Sequence, residues 1–191
     1  MNVLVYCGSR PGNDDSIIKA TEDLADSIVA NGHGLVYGGG SVGLMGIVAK
    51  RVVDAGSHVL GVIPTFLSTD EVVYKDCTEL IEVESMHARK LLMIERCDVI
   101  LTLPGGFGSM DELFEAVTWL QLGLHSKPIG LVNVNGYYDH LVAQLDHMVE
   151  VGFLTSRNRD LIYVDKDPSR VLDHLVNRAA TGVSQRLERR S

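Results

Sequence analysis

Apolar runs and helical stretches alternate along this chain with almost no interruption. Seven segments read as strands: NVLVYCG, HGLVYGG, SHVLGVIP, TELIEVE, DVILTLPGG, KPIGLVNVN and DLIYVD. Most are continuous apolar runs rather than in-and-out alternations, the pattern of strands buried on both faces in a parallel sheet. Between them, apolar positions recur at helical spacing over about residues 15–31, 43–55, 86–97, 109–123, 137–150 and 168–180. Asp167 before Pro168 supplies an N-cap and a first-position proline for the last helix. The order predicts an α/β fold: a Rossmann-like, doubly wound, mainly parallel sheet with helices on both faces. The ligand site of such a sheet lies at the carboxyl ends of its strands. Residues 65–77 are the one irregular insertion, a candidate lid or specificity loop. Residues 1–180 read as a single domain, and 181–191, poor in apolar residues and holding three arginines, as a disordered tail.

Composition narrows the partners. A chain of 191 residues buries a proper core without disulfides or metal. Its formal net charge of −8 argues against a nucleic-acid partner, since a phosphate backbone demands a basic face. An anionic ligand is therefore to be held locally, by helix N-termini and a few cations. The three cysteines, Cys7, Cys77 and Cys97, are odd in number and widely spaced, with no CxxC pair. The chain opens directly on strand-like NVLVYCGS, and no apolar run approaches the roughly 20 residues that span a bilayer. A reduced, cytoplasmic protein with no membrane partner is the expectation.

Two strand–glycine–helix junctions carry the candidate chemistry. PGGFGSMDE, residues 104–112, follows the apolar DVILTL, and Gly105, Gly106 and Gly108 remove side chains where the backbone turns sharply and nears a ligand. Ser109 is predicted to cap the next helix, whose first amides then form an anion site. The earlier GLVYGGGSVGLMG carries Gly38, Gly39, Gly40 and Gly43 into a second helix. Its GGGSVG matches G-x-G-x-x-G, yet it follows the second strand, and GVIPTF ends the next strand where a ribose-binding acid would stand. It also lacks the Lys-Ser/Thr of a P-loop. An ordinary tight turn needs fewer glycines, so phosphate or ribose contact is favoured, and the pair of junctions points to a phosphorylated ligand.

Three further segments have competing readings. Ser109 and Glu112, three apart, form a capping box that merely satisfies helix-end amides, or Glu112 faces the pocket and acts on a sugar carbon. The spacing fits both. In SMHARK, if Ser85 caps the helix, Arg89 and Lys90 fall near its positive end, where a cation costs up to about 1 kcal/mol. Glu82 and Glu84 would neutralise part of this, but two adjacent cations point to function, Arg89 above Lys90. MDELFEAVTWLQLGL is apolar around much of its circumference, with Leu113, Phe114, Val117 and Leu120 on one side and Ala116, Trp119 and Leu122 on others. Such a helix is central in a core or buried against a second copy. The seven histidines are scattered and predict no metal site.

Together, GGGSVGLMG, MHARK and PGGFGSMDE resemble the GGGxxGLMG, M-x-x-RK and PGGxGTxxE motifs of the LONELY GUY proteins, the cytokinin riboside 5'-monophosphate phosphoribohydrolases. The similarity runs from about residue 2 to about residue 176, with the motifs in the family's order and spacing. Many relatives carry the older label "possible lysine decarboxylase". The resemblance implies a Rossmann-like homodimer that hydrolyses the N-glycosidic bond of adenosine 5'-monophosphates, N6-modified or plain. The products would be free base and ribose 5-phosphate, and no metal or redox cofactor is needed. It implies Arg89 and Glu112 as the catalytic pair. The substrate-binding segment would be Gly106, Phe107, Gly108, Ser109, Met110 and Asp111 with Lys90, joined by Ser9, Gly39, Gly40, Gly43, Met86 and Gly105. Glu71 and Thr118 align with further contact positions. Ser109 stands where the family has Thr, keeping the hydroxyl. Arg10, in CGSRPG, stands where a small residue is common, which bears on ligand preference near Ser9.

The chemistry agrees. Glycosidic cleavage develops positive charge on the sugar, and a carboxylate beside that carbon stabilises it or activates the attacking water. Arg89 would fix ribose or phosphate, or hold Glu112 ionised. Two rivals remain at this level: a non-catalytic nucleotide or pterin-cofactor carrier on the same fold, and a pyridoxal-phosphate decarboxylase with Lys90 as its Schiff base.

Overall fold

All seven apolar runs form strands of one sheet. In the computed structural model, which describes residues 1–69 and 72–181, these are β1 (Asn2–Tyr6), β2 (Gly34–Tyr37), β3 (Val59–Pro64), β4 (Glu79–Val83), β5 (Val99–Thr102), β6 (Ile129–Val132) and β7 (Ile162–Asp165). The helices are α1 (Asp15–Ala30), α2 (Gly43–Asp54), α3 (Met86–Glu95), α4 (Phe107–Gln121), α5 (Asp139–Glu150), α6 (Ser156–Arg159) and α7 (Pro168–Ala180). Every pairing is parallel, in the order β4-β3-β2-β1-β5-β6-β7.

The pleat explains the continuous apolar runs. Along β1, Val3 and Val5 point into the layer made by α1, α2 and α7, while Leu4 and Tyr6 point into the layer of α3, α4 and α5. Successive side chains of a strand face opposite sides, so a central strand covered on both faces has no polar side. Each fully buried Leu, Ile or Val there contributes roughly 1.5–3 kcal/mol. At β6 the sheet meets α7 so closely that a Cβ on Gly130 would lie 2.4 Å from Val171 Cγ1.

The chain walks from β1 outward to β4, then returns to lay β5 on the other side of β1. Loops leaving β1 and β5 therefore diverge in opposite directions, and the crevice between them is where open α/β sheets bind ligands. Asp14, Ser85, Thr155 and Asp167 cap α1, α3, α6 and α7 with their side chains. The expected helices are present with small shifts, and α6, four polar residues long, is too short to show a period in sequence. The tail expectation falls on 182–191 and Glu71 on the insertion, both outside the described residues.

Candidate active site

Backbone bonds gather the glycine-rich turns around the crevice. The Gly8 amide donates to the Pro104 carbonyl at 3.1 Å, and the Leu44 amide to the Gly8 carbonyl at 3.0 Å. Gly43, at φ +63°, lies so tightly on the Ser9–Arg10 backbone that a Cβ would come within 2.3 Å of Ser9 C. Two tyrosines hold the other loop from below: Tyr137 donates to the Gly105 carbonyl at 2.6 Å and Tyr138 to that of Leu103 at 2.8 Å. The insertion folds back onto the first glycine run, with the Ser41 amide on Val72 O and the Tyr74 amide on Gly39 O. The result is a cleft of about 500 Å³ walled by Cys7, Ser9, Gly38, Gly40, Ile63, Leu67, Val72 and the start of α4, with Arg89 and Glu112 as its buried charges.

Arg89 is 8% exposed, on the first turns of α3. Its Nη2 donates to the Gly38 carbonyl at 2.8 Å and its Nε to the Val62 carbonyl at 3.1 Å, at the ends of β2 and β3. Among the described residues Nη1 meets only the Met86 sulfur and, at 3.9 Å, Glu112 Oε1. Those carbonyls, rather than Glu82 and Glu84, compensate the cation at the helix's positive end; Glu82 accepts from Ser68 instead.

The capping box does not form. α4 starts two residues before the sequence reading placed it, capped by extended Gly106 with no side-chain bond, so Ser109 lies inside the first turn and Glu112 well beyond it. Glycine is itself an acceptable N-cap, and Gly105 allows the early start, since a Cβ there would lie 2.1 Å from Ser109 Oγ. Among the described residues no side chain covers the amides opening α4, which stand beside the cleft. At α2, by contrast, the Leu44 amide is already taken, and Gly39 and Gly43 pack closely against their neighbours while Gly38 and Gly40 wall the cleft.

Glu112 is 9% exposed and accepts no hydrogen bond among the described residues. Burial pushes its carboxyl up to about 7; Arg89 opposes this, Asp111 adds to it, and Lys90 and Glu115 act in turn down and up. Beneath it, paired Tyr6 and Thr102 present buried hydroxyls with no partner among the described residues.

Lys90 corrects the sequence reading. It does not line the cleft; its ammonium lies 2.9 Å from Asp111 Oδ2 and 2.8 Å from Glu115 Oε2, the second a charge contact off the hydrogen-bond direction. Burial would lower its pKa, but the carboxylates of Glu115 and Asp111 outweigh this and raise it. A Schiff-base lysine needs the opposite shift.

The structure thus brings Ser9, Gly40, Gly106, Phe107, Gly108 and Ser109 to the cleft with Arg89 and Glu112, and Gly105 to an adjoining hollow. It does not bring Thr118, which is exposed on the outer face of α4, or Asp111, which faces Lys90. Met110 is half-buried and packs against the core, and Gly39 turns at φ +73° against Ile63 and Leu80. The Met86 sulfur lies 3.9 Å from Arg89 Nη1 and does not line the cleft. Leu67 and Val72 come from the 65–77 insertion singled out as a candidate lid or specificity loop; sequence reasoning missed Cys7, Ile63 and the two tyrosines, whose roles come from loop closure rather than local pattern.

The possible lysine decarboxylase family profile matches residues 45–175. A protein of Oryza sativa subsp. japonica, named a probable cytokinin riboside 5'-monophosphate phosphoribohydrolase, is 46% identical over 171 residues, 90% of this chain and 81% of its own. A cytokinin riboside 5'-monophosphate phosphoribohydrolase of Arabidopsis thaliana is 46% identical over 160 residues, 84% of this chain and 75% of its own. Among solved structures, the molybdenum cofactor carrier protein of Chlamydomonas reinhardtii superposes with a TM-score of 0.68 at 18% identity, covering 94% of this chain and 98% of that one. At that identity the likeness is one of fold.

Proposed function

Because this chain belongs to the cytokinin riboside 5'-monophosphate phosphoribohydrolase family, we propose that it hydrolyses the N-glycosidic bond of adenosine 5'-monophosphates, N6-modified above all. It releases free cytokinin base and ribose 5-phosphate. The observation that carries the site assignment is the buried Arg89–Glu112 pair in the cleft at the sheet's switch point. The 5'-phosphate lies at the start of α4, where the Gly106 cap brings no side chain and open amides and the helix dipole favour an anion. Arg89, its far side tied to two carbonyls, offers Nη1 to the ribose. As the C1'–N bond breaks, its electron pair leaves with the base, and the Glu112 carboxylate stabilises the positive charge on the sugar or takes a proton from the attacking water.

A homodimer accompanies this reading. Leu91 on α3, Phe114 and Leu122 on or after α4, and Leu124 are all exposed, around half-buried Trp119. Leu91, Trp119 and Leu124 line one surface hollow, and exposed apolar surface of this kind supports an interaction face. The three free thiols, two of them buried, support a reducing compartment such as the cytoplasm.

The test is chromatography of AMP and N6-isopentenyl-AMP incubated with pure protein. Free base and ribose 5-phosphate are expected; intact nucleotide bound without turnover would mean a carrier instead.

A further inference from the structure

Lys90 does not line the cleft and is almost wholly withdrawn from solvent. It follows Arg89 on α3, is 6% exposed, and sets its ammonium between Asp111 and Glu115 at 2.9 and 2.8 Å. Those carboxylates precede Glu112 by one residue and follow it by three on α4, and the negative charge of each disfavours its ionised form. A buried ammonium is costly unless well compensated, and here it lies one residue from the arginine that faces Glu112.

We propose that Lys90 is a positioning residue that keeps Glu112 ionisable, by tying α3 to α4 and by neutralising the two carboxylates on either side of it. The proposal rests on the reading of Glu112 as the carboxylate that must be charged for turnover. Glu112 is faced by Arg89 and Lys90 from α3, by Asp111 and Glu115 from its own helix, and by Tyr6 and Cys7 from the end of β1. Burial raises both the Tyr6 hydroxyl and the Cys7 thiol, so they remain neutral. The balance is therefore two cations against two flanking carboxylates, and without Lys90 it becomes one against two.

The test is the pH dependence of kcat/KM for AMP hydrolysis. Lys90→Met should move the acid limb upward by on the order of one pH unit, the scale of a nearby charge. Activity then falls about tenfold below neutrality and recovers toward pH ~9. Glu115→Gln should move the limb the other way, and Lys90→Arg should leave it near the wild-type position. A uniform loss at every pH in Lys90→Met, or shifts of the same sign in Lys90→Met and Glu115→Gln, would overturn the proposal. If Lys90→Met does not fold, an unmoved limb in Glu115→Gln overturns it by itself. Failure of the underlying reading looks different: an acid limb that persists unchanged in Glu112→Gln would remove Glu112 as the titrating group, and the proposal with it.

Discussion

Arg89 Nη1 and Glu112 Oε1 stand 3.9 Å apart, close enough to attract and too far to hydrogen-bond. Had they closed into a bidentate pair, Glu112 would be an ordinary low-pKa carboxylate with its lone pairs spent. Two backbone carbonyls hold the guanidinium back instead. Burial then dominates and leaves Glu112 near 7, with bonding capacity on both partners for a ribose between them.

Removing that arginine should be costly twice. Arg89→Ala is expected to lower AMP turnover by about a hundredfold or more, the scale of one preorganised electrostatic partner. It should also destabilise the fold by on the order of 1–3 kcal/mol, because the Gly38 and Val62 carbonyls lose buried donors. The dipole argument by itself predicts a gain in helix stability; the observed bonds reverse that sign. Steady-state kinetics and urea melts check both.

Stability should carry the signature of Glu112. Its folded pKa, about 7, lies above the ordinary 4.5, so the native state holds a proton that the unfolded chain has released. Stability from this group is complete below about 4.5 and is lost as pH rises through about 7, on the order of 3 kcal/mol in all. Wild-type Tm should fall across that window relative to Glu112→Gln. Parallel curves for the two proteins would contradict the assignment. Turnover has the opposite trend, rising as Glu112 ionises.

Gly105→Ala should damage the site through packing alone. The new Cβ would meet Ser109 Oγ at 2.1 Å and the Gly8 amide at 3.0 Å, forcing the start of α4 outward. A loss of about 1–3 kcal/mol with a raised KM for AMP is expected. Wild-type values in both would show that the loop has more room than its geometry allows.

Much of this was legible in the chain. Val3 to Tyr6 and Val99 to Leu101 are continuous apolar runs, which only a doubly covered parallel sheet explains, and Asp167–Pro168 marks its helix start. What failed was local. Ser109 is the better N-cap by preference, yet Gly106 takes the position because the loop must fold over Ser109. Lys90 reads as a substrate-binding residue in sequence, because the carboxylates that claim it lie on another helix. The roles of Tyr137 and Tyr138 depend on a β5 loop some 30 residues earlier in the chain and leave no local pattern.

The dimer should come apart by charge. Leu122→Glu with Leu124→Glu places two carboxylates on the exposed apolar face beside Trp119. Light scattering at micromolar concentration should give a dimeric mass for the wild type and a monomeric one for the variant. A wild-type monomer would contradict the interface.

The most direct test of the central claim is single-turnover hydrolysis of AMP by Glu112→Gln at pH 8, where wild-type Glu112 is charged. The substitution is nearly isosteric and removes only the negative charge. A fall of about a hundredfold or more, with AMP still bound and the fold intact, is the expected result; a rate near the wild-type value would contradict Glu112 as the group that stabilises the breaking glycosidic bond.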